Sequence, residues 1–409
     1  MSEPAKNPGQ QPEGYQPKDA PERLKALAEA QGQNRSATIE DLQAYIASGG
    51  EPPRSKKIRN LRRLWHDYAS ENFYLEGCLA AVLKAVGERA VKVKDRPDFD
   101  YMFLLTLSGT LFTQIYHYGS DGKTTLKGPA PDPILPGLSS VLNHDILPHM
   151  FRQLGYAYLY IDRDMLAEQP ALAMNAVKAA IAKGIPVMTC GIGNVQMDRF
   201  VERFPEWSTI GGYDKDGNLL VNVFAREAAA DKQGYCTVKN GLAGSGGLYI
   251  LGEKQHTMDV PDLYRQAIHA IPPLITMPAR YGTSFGKQAF YDWADGLLDD
   301  GNIENLSDDP YAGFLWHGHH GPWIVALTNE CYMRVYFDKV IEACGLPEAA
   351  AVKGVYTKIY ANLPELQKLH GGDFFATNEV IAKREVREEL AAILRHMGDL
   401  HNELLELFV

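Results

Sequence analysis

Apolar residues recur at a helical period in several segments of the chain. The segment SATIEDLQAYIASGG predicts a helix that Ser36 or Thr38 caps and that a pair of glycines ends. The segment FYLEGCLAAVLKAVG keeps apolar side chains on one face and predicts a helix closed by Gly87. A third helix is predicted for ALAMNAVKAAIAKG, which ends at Gly184. From about residue 260 onward the helical period dominates and predicts roughly four to six bundle helices.

Segments between these helices predict strands. IPVMTCGIG is typical of a buried strand closed by glycines, and GLYILGEK is typical of another strand. WSTIGGYDKDGNLLVNVF predicts a hairpin in which Gly217 takes the positive φ of the turn. DYMFLLTLSGTLF fits either a strand or a helix, and Gly109 interrupts it. Helices at the start and strands towards the end indicate an α+β layout.

Composition divides the chain into four regions. Residues 1–20 are rich in Pro, Gly, Gln and charge, and they are predicted to be a disordered tail. Residues 21–69 predict a small helical headpiece with a basic segment. Residues 70–257 predict an α+β domain, and residues 258–409 predict an all-helical domain.

Overall composition excludes several classes of protein. The chain has 409 residues, of which 45% are hydrophobic, so a sizeable core is expected. The formal net charge of -10 argues against general affinity for nucleic acid or a membrane surface. No run approaches the roughly 20 apolar residues of a membrane span, and the N-terminus has no apolar signal core. Five cysteines contain no C-x-x-C pair, so we expect free thiols and a cytoplasmic location.

The segment 54–63 crowds six basic residues into RSKKIRNLRR. Such a run can dock nucleic acid or another partner. The simpler interpretation is a solvated helix face, with Ile58 and Leu61 packed inward at helical spacing. We favour the solvated face, and nucleic acid is therefore an unlikely partner.

A cysteine stands directly after a glycine at the start of the helix predicted from FYLEGCLAAVLKAVG. The N-terminus of a helix lowers the pKa of a thiol through its unsatisfied N–H groups. Gly77 would let the chain turn sharply and let a substrate approach the backbone. A buried packing cysteine explains the same letters and is commoner. Cys78 is therefore either a nucleophile or a core residue.

The order of the elements narrows the choice of fold. A cysteine-headed helix, a later helix, the strand KGIPVM and the hairpin GYDKDGNLLVN follow one another. This order resembles the papain-like fold, above all its bacterial double-glycine peptidase branch. The chain is also similar to the butirosin-biosynthesis acyltransferase family, whose N-terminal domain has that fold. The helical region of that family carries a G-x-x-A-x-x-x-W-x-x-x-L pattern, which is met here by Gly286, Ala289, Trp293 and Leu297.

The resemblance covers roughly residues 70–400 and implies a papain-like cysteine-peptidase-type domain followed by an all-helical region. It also implies a histidine at the start of the strand before GYD, where this chain has Glu206. A carboxylate raises the pKa of a nearby thiol, whereas an imidazolium lowers it. Asn222 fits the Asn/Asp position of the triad. Gly77, Trp207 and Tyr213 are expected to border a ligand beside Glu206.

Other histidines offer an imidazole. His117 in IYHYG lies in the predicted α+β domain, and its simpler interpretation is an edge-strand histidine with its own hydrogen bonds. The segment WHGHHGPW carries His317, His319 and His320, of which His319 is our candidate ligand-binding residue. Three imidazoles so close together invite Zn²⁺, but no Asp, Glu or Cys stands at ligand spacing. We therefore predict no metal and no cofactor, and we favour a flexible turn with solvated histidines.

Two hypotheses follow. In the first, the protein is a papain-like domain with a degenerate triad that binds a small molecule or a peptide. In the second, Cys78 attacks a thioester or amide, and the protein is a cysteine-dependent acyltransferase or a peptidase-like hydrolase. Replacement of the histidine by Glu206 favours the first, whereas Gly77-Cys78 at a helix start keeps the second open. The sequence leaves the acyl or peptide ligand and the oligomeric state open.

Overall fold

We describe the fold from a computed structural model. The structure describes residues 34–59, 61, 73–88, 99–117, 143–192, 207–222, 234–239, 241–280, 282–304, 306–307, 313–344 and 347–409. The described residues form two compact units. The α+β unit contains the described part of residues 26–108 and 126–263. The helical unit contains residues 109–117 and the described part of residues 264–409.

The first described elements are α1 (Ile39–Ala47), β1 (Lys56–Lys57), α2 (Tyr74–Ala85), α3 (Phe99–Ser108), a 3₁₀ turn (Thr110–Phe112) and β2 (Ile115–His117). It continues with α4 (Asn143–Gln153), β3 (Tyr156–Ile161), α5 (Arg163–Glu168), α6 (Pro170–Ala182), β4 (Val187–Cys190), β5 (Trp207–Tyr213), β6 (Leu219–Asn222), β7 (Tyr235–Val238) and β8 (Leu248–Lys254). The remaining elements are α7 (Val260–His269), α8 (Ile271–Ile275), β9 (Thr283–Phe285), α9 (Gly286–Leu298), α10 (Asp300–Glu304), a π-helix (Leu315–His320), α11 (Gly321–Cys344), α12 (Pro347–Tyr360), α13 (Leu363–Leu369), α14 (Asn378–Ile381) and α15 (Arg384–Glu406).

The α+β unit is built on an antiparallel sheet. Its strands follow the order β3-β8-β4-β5-β6-β7, and β1 adds to the second half of β5. Helix α2 packs against β5 and β4, and α6 contacts the same two strands. Strands β4 and β5 are buried along their whole length, which explains their continuous apolar runs. The mixed helix and antiparallel sheet, followed by a helical region, confirm the predicted α+β class.

Local sequence signals explain most elements of this unit. Thr38, one of the two predicted caps, caps α1, and it also forms a capping box with Asp41. The turn of the predicted hairpin lies between β5 and β6, and Gly217 has φ 85° there. The segment 100–112, which fitted strand or helix, is helical up to Ser108, and Gly109 ends the helix with φ 84°.

The basic segment differs from its prediction. Lys56–Lys57 are an extended strand paired with β5, not part of a helix. Pro52 and Pro53 disfavour helix immediately before the segment, and the backbone of β5 offers it hydrogen bonds instead. Residues 34–61, where described, belong to the α+β unit and not to a separate headpiece.

The helical unit is held by long antiparallel contacts between α9 and α15, with α12 packed on both α11 and α15. A two-stranded sheet of β2 and β9 joins residues 109–117 to it. The ring of Phe112 lies 6.1 Å from those of Phe337 and Tyr356, and Tyr356 Oη donates to the Phe112 carbonyl at 3.0 Å. Residues 109–117, which the sequence assigned to the α+β region, therefore complete the helical unit.

The G-x-x-A-x-x-x-W-x-x-x-L pattern lies on α9 and faces the core. Ala289, Trp293 and Leu297 are fully buried. Gly286 has φ 59°, and a Cβ there would lie 2.3 Å from the backbone of Ile275. The pattern thus serves close packing in this chain. Across the described segments, no helix combines the length and the apolar character needed to cross a membrane.

Candidate functional site

Cys78 lies inside a helix and not at its start. Helix α2 begins at Tyr74, and the Gly77 N–H is already bonded to the Phe73 carbonyl at 3.3 Å. Cys78 is therefore in the second turn, beyond the unsatisfied N–H groups that would favour a thiolate. The expectation of Gly77 as a sharp entry turn is wrong, because Gly77 is a buried helical residue.

The surroundings of Cys78 on α2 are closed to solvent. Every residue from Tyr74 to Leu83 is buried, and Cys78 is 0% exposed. Glu76 is also 0% exposed, and its carboxylate accepts a hydrogen bond from Ser108 Oγ at 2.7 Å. An acidic side chain and a thiol thus share the first two turns of one helix that is closed to solvent, whereas reactive cysteines are partly exposed.

The hairpin brings two predicted site residues, Asn222 and Trp207, to the same face of the sheet as Thr209. Asn222 pairs with Thr209 across β5 and β6, and Trp207 stands two residues before Thr209. Residues opposite each other, or two apart on one strand, point to one face of a sheet. All three are almost completely buried. Glu206, at the position where the resemblance implies a histidine, lies outside the described residues.

Two polar atoms on this face lack partners. Trp207 Nε1 and Thr209 Oγ1 are buried and form no hydrogen bond with the described residues. A buried polar atom without a partner costs about 1–3 kcal/mol. Such atoms are uncommon in native proteins and are typical of places where a ligand or water supplies the partner.

Tyr213 ends β5 and has a structural partner. Its hydroxyl donates to the Pro53 carbonyl at 2.9 Å, and Lys178 Nζ lies 5.6 Å from the centre of its ring. Burial raises the pKa of Tyr213. Cys190, at the end of β4, is fully buried, and burial raises the pKa of its thiol to about 12. Cys190 thus lies in the buried strand that the segment IPVMTCGIG predicts.

His117 belongs to the helical unit, whereas Cys78 belongs to the α+β unit. Its Nδ1 lies 2.6 Å from Thr283 Oγ1, the residue that pairs with it across β2 and β9. Burial, and secondarily His317, lower the pKa of His117 to about 4. The imidazole is thus neutral near pH 7 and is held as a strand histidine.

His319 takes part in a chain of buried aromatic hydrogen bonds. Trp293 Nε1 donates to His319 Nδ1 at 3.0 Å, and His319 Nε2 lies 2.9 Å from His370 Nε2. Because an indole can only donate, His319 must carry its proton on Nε2, and His370 must accept there. The proton of His370 then lies on Nδ1, which faces the Phe374 carbonyl without full hydrogen-bond geometry. Burial lowers the pKa of both imidazoles.

The segment WHGHHGPW forms the end of a π-helix and the start of α11, and its residues His319 and His320 are buried, so the prediction of a turn with solvated histidines is wrong. Pro322 has no N–H for the Gly318 carbonyl, and Gly321 N–H bonds instead to Trp316 five residues back. Gly318 is required, because a Cβ there would lie 2.4 Å from the Phe314 ring. His320 Nε2 donates to the Ala376 carbonyl at 3.0 Å, and burial lowers its pKa to about 4. No group of three metal-ligating side chains occurs among the described residues.

Sequence reasoning missed a cavity of about 820 Å³ beside β1 and β5. Its lining includes Lys56, Lys57, Arg59 and Lys215. The available signal was the coincidence of the basic segment 54–63 with the lysine of the hairpin turn. Nothing in the sequence alone brings these two places together, because about 150 residues separate them. A second cavity of about 740 Å³ adjoins α5, α6 and residues 241–245.

Neither a protein-family model nor a curated protein matches this chain.

Proposed function

We propose that this protein is a papain-like ligand-binding protein in which Cys78 packs the core and does not act as a nucleophile. The observation that carries the proposal is the place of Cys78, 0% exposed in the second turn of α2. A nucleophile has to reach its substrate as a thiolate, and reactive cysteines lie in electropositive, partly exposed surroundings. Cys78 is 0% exposed and therefore lacks the exposure of a reactive cysteine, and the buried Glu76 stands two residues before it.

The papain-like part of the proposal rests on the arrangement of α2 and the sheet. The cysteine helix packs against β5 and β4, and Asn222 stands at the end of the next strand of the hairpin. This is the arrangement that the resemblance to the butirosin-biosynthesis acyltransferase family implies. Glu206 in place of the histidine leaves that scaffold without the group that would activate a thiol.

The ligand-binding part rests on the α+β unit. Its cavities of about 820 Å³ and about 740 Å³ fall within the roughly 300–1,000 Å³ of small-molecule sites. Cys78, Cys190, Cys236 and Cys331 form no disulfide bond with a described residue, which supports a reducing compartment such as the cytoplasm.

One observation favours an enzyme as the second candidate. Cys78 and Asn222 occupy the helix and the strand end that a cysteine acyltransferase or hydrolase would use. In that function Cys78 would attack a thioester or amide carbonyl, form a thioester with the acyl group and release the leaving thiol or amine. The acyl group would then pass to an amine or to water.

Alkylation of the native protein separates the two candidates. We expect iodoacetamide at about pH 8 to modify the half-buried Cys236 and Cys331 at least about tenfold faster than the buried Cys78 and Cys190. The reason is that reagent reaches a buried thiol only after local unfolding. Peptide mass spectrometry over a time course gives all four rates in one sample, and guanidinium-unfolded protein gives the rates without structure.

An activated nucleophile would give the opposite ranking. Cys78 would then be the fastest thiol and would retain its rate as the pH falls below the ordinary thiol range. Incubation with a panel of acyl thioesters would also add acyl mass to the peptide that contains Cys78, and Cys78→Ser would abolish the addition. Either result would overturn the binding-protein proposal.

A further inference from the structure

The basic segment is fixed on the sheet by specific contacts. β1 pairs with the end of β5, so that Lys56 lies opposite Tyr213 and Lys57 opposite Gly212. Ile58 N–H donates to the Gly211 carbonyl at 2.8 Å, and Tyr235 Oη donates to the Ile58 carbonyl at 2.9 Å. The lysines therefore project from a defined backbone.

The two glycines of β5 make this contact possible. A Cβ at Gly211 would lie 2.3 Å from Tyr235 Oη and 2.6 Å from Leu61 Cδ2. A Cβ at Gly212 would lie 2.7 Å from the Lys56 carbonyl oxygen. Real Cβ atoms essentially never show such distances. The pair Gly211-Gly212 thus admits the basic segment to the sheet.

The cavity beside β1 is large enough for a small molecule. Its volume is about 820 Å³. Its lining consists of residues from β1 and its flanks, the ends of two helices, and the hairpin. All of them belong to the α+β unit.

The lining carries a clear excess of positive charge. Four cationic residues face one acidic residue, Asp214, so the formal charge is 4 − 1 = +3. The Asp214 carboxylate is occupied by its own turn, where it accepts from Asp216 N, Asn218 N and Asn218 Nδ2 at 2.8–2.9 Å. Those hydrogen bonds lower the pKa of Asp214, so the carboxylate stays ionised and contributes a full negative charge to the cavity.

The helix ends in the lining reduce this excess without cancelling it. Ala85 ends α2, and Gly184 follows the C-terminus of α6. A helix C-terminus carries about −0.5 charge. Two such ends together contribute about −1, which leaves about +2 in the cavity. The whole chain has a net charge of -10, so this positive cavity contrasts with the acidic character of the protein.

Three of the four cations lack a carboxylate partner in the described part of the chain. Lys56, Arg59 and Lys215 form no ion pair with a described residue. Lysines on an edge strand commonly prevent pairing with other chains. That role does not explain Lys215 and Arg59, which converge on the same cavity from the hairpin turn and from beyond the strand.

We infer that the cavity lined by Lys56, Lys57, Arg59 and Lys215 binds a small anionic molecule through its phosphate or carboxylate groups. The guanidinium of Arg59 can bind such a group with two parallel hydrogen bonds, while the lysines supply point charges. The inference rests on the proposed ligand-binding function and names the ligand class at one place in the α+β unit.

Titration calorimetry of the full chain at low salt tests the inference. Tripolyphosphate and citrate serve as probes of the phosphate and carboxylate classes, and an uncharged sugar serves as the neutral comparison. We expect saturable binding of at least one anion and no heat from the sugar. The affinity should fall as salt is added, because the Debye length shortens from about 30 Å at 0.01 M to about 10 Å at 0.1 M.

Variants locate the binding. Lys215→Gln and Lys56→Gln should each weaken binding about tenfold, since a hydrogen bond to a charged group contributes at least about 1.5 kcal/mol. Lys239→Gln removes the same charge from an exposed position of the α+β unit outside the cavity, and it should leave the affinity within about twofold. Thermal melting of each variant verifies that it is folded.

Three results would overturn the inference. One is the absence of saturable binding of both anions to the full chain. Another is an equal loss of affinity in Lys239→Gln and Lys215→Gln, which would indicate general attraction only. The third is a short single-stranded oligonucleotide that binds far more tightly than tripolyphosphate and depends on the same lysines, which would make this a nucleic-acid surface. The ranking of cysteine alkylation rates does not depend on these results. If the anion-binding inference fails, the alkylation experiment still tests the proposed function.

Discussion

At the scale of single residues, the structural role of a glycine depends on which atoms pack against it in the fold. Gly77 precedes a cysteine and resembled an active-site glycine, yet it is a buried residue inside α2. Gly211 and Gly212 resembled ordinary strand glycines, yet each would clash with a neighbour if it carried a Cβ. Single-residue signals were therefore least informative where tertiary contacts, not backbone conformation, require the residue.

Replacement of Gly211 or Gly212 by alanine should destabilise the α+β unit by about 1–3 kcal/mol, because the new methyl group must displace Tyr235 or the β1 backbone. Denaturant unfolding followed by circular dichroism measures the change. Gly354→Ala is the control, since nothing lies within 4 Å of a Cβ there and an alanine favours a helix interior by roughly 0.5–1 kcal/mol. Equal stability of Gly212→Ala and the parent protein would refute the role given to this pair.

At the scale of elements, the helical and strand periods predicted whether a segment is a helix or a strand better than they predicted where each element begins and ends. Helices α1 and α6 begin and end close to their predicted capping residues and glycines. Helix α2 begins four residues before Cys78 because Phe73–Leu83 are buried throughout, and tertiary packing extends it beyond the expected start. The π-helix was missed because Gly and Pro in WHGHHGPW are typical of a turn, and its partner His370 is about 50 residues away.

The buried imidazoles of the helical unit should make its stability depend on pH. His320 and His370 have pKa values of about 4 in the fold, against about 6.5 in an unfolded chain. Between these values the unfolded state binds more protons, so stability is full above about pH 6.5 and is lost as the pH falls toward about 4. Each such histidine should change the unfolding free energy by up to about 1.4 kcal/mol per pH unit.

Tryptophan fluorescence can follow this transition, since Trp293, Trp316 and Trp323 lie in the helical unit. His370→Gln should reduce the slope of unfolding free energy against pH, because one titrating group is removed. His396→Gln, on the exposed face of α15, is the matched control for the loss of an imidazole outside the buried cluster. A parent protein whose stability is constant from about pH 7 to about pH 5 would contradict the assigned neutral imidazoles.

At the scale of the whole molecule, the two units are not consecutive in the sequence. The composition changes near residue 258, which predicted a boundary there, and the described series of helices that only β9 interrupts does begin near that point, with α7 at Val260. The helical unit nevertheless includes residues 109–117, which lie in the first third of the chain. Composition cannot reveal that residues 109–117 belong to the helical unit, because this depends on the pairing of β2 with β9, a strand about 170 residues later.

This arrangement predicts that residues 264–409 alone are poorly stable. They would lack the pairing of β2 with β9, the bond from Gly286 N–H to the Gln114 carbonyl at 2.8 Å, and the ring of Phe112. Burial of that ring alone contributes about 1.5–3 kcal/mol. A fragment in which residues 109–117 are joined through a flexible Gly-Ser linker to residue 264 should therefore melt cooperatively at a higher temperature than the fragment 264–409.

The matched control replaces Phe112 by Ala within the linked fragment. It keeps the linker and the β2 backbone but loses the contacts of the ring with Phe337 and Tyr356. We expect its melting temperature to fall between those of the other two fragments, as measured by circular dichroism and calorimetry. If the fragment 264–409 melts like the linked one, residues 109–117 contribute no stability, and the contiguous division at residue 258 describes the molecule better.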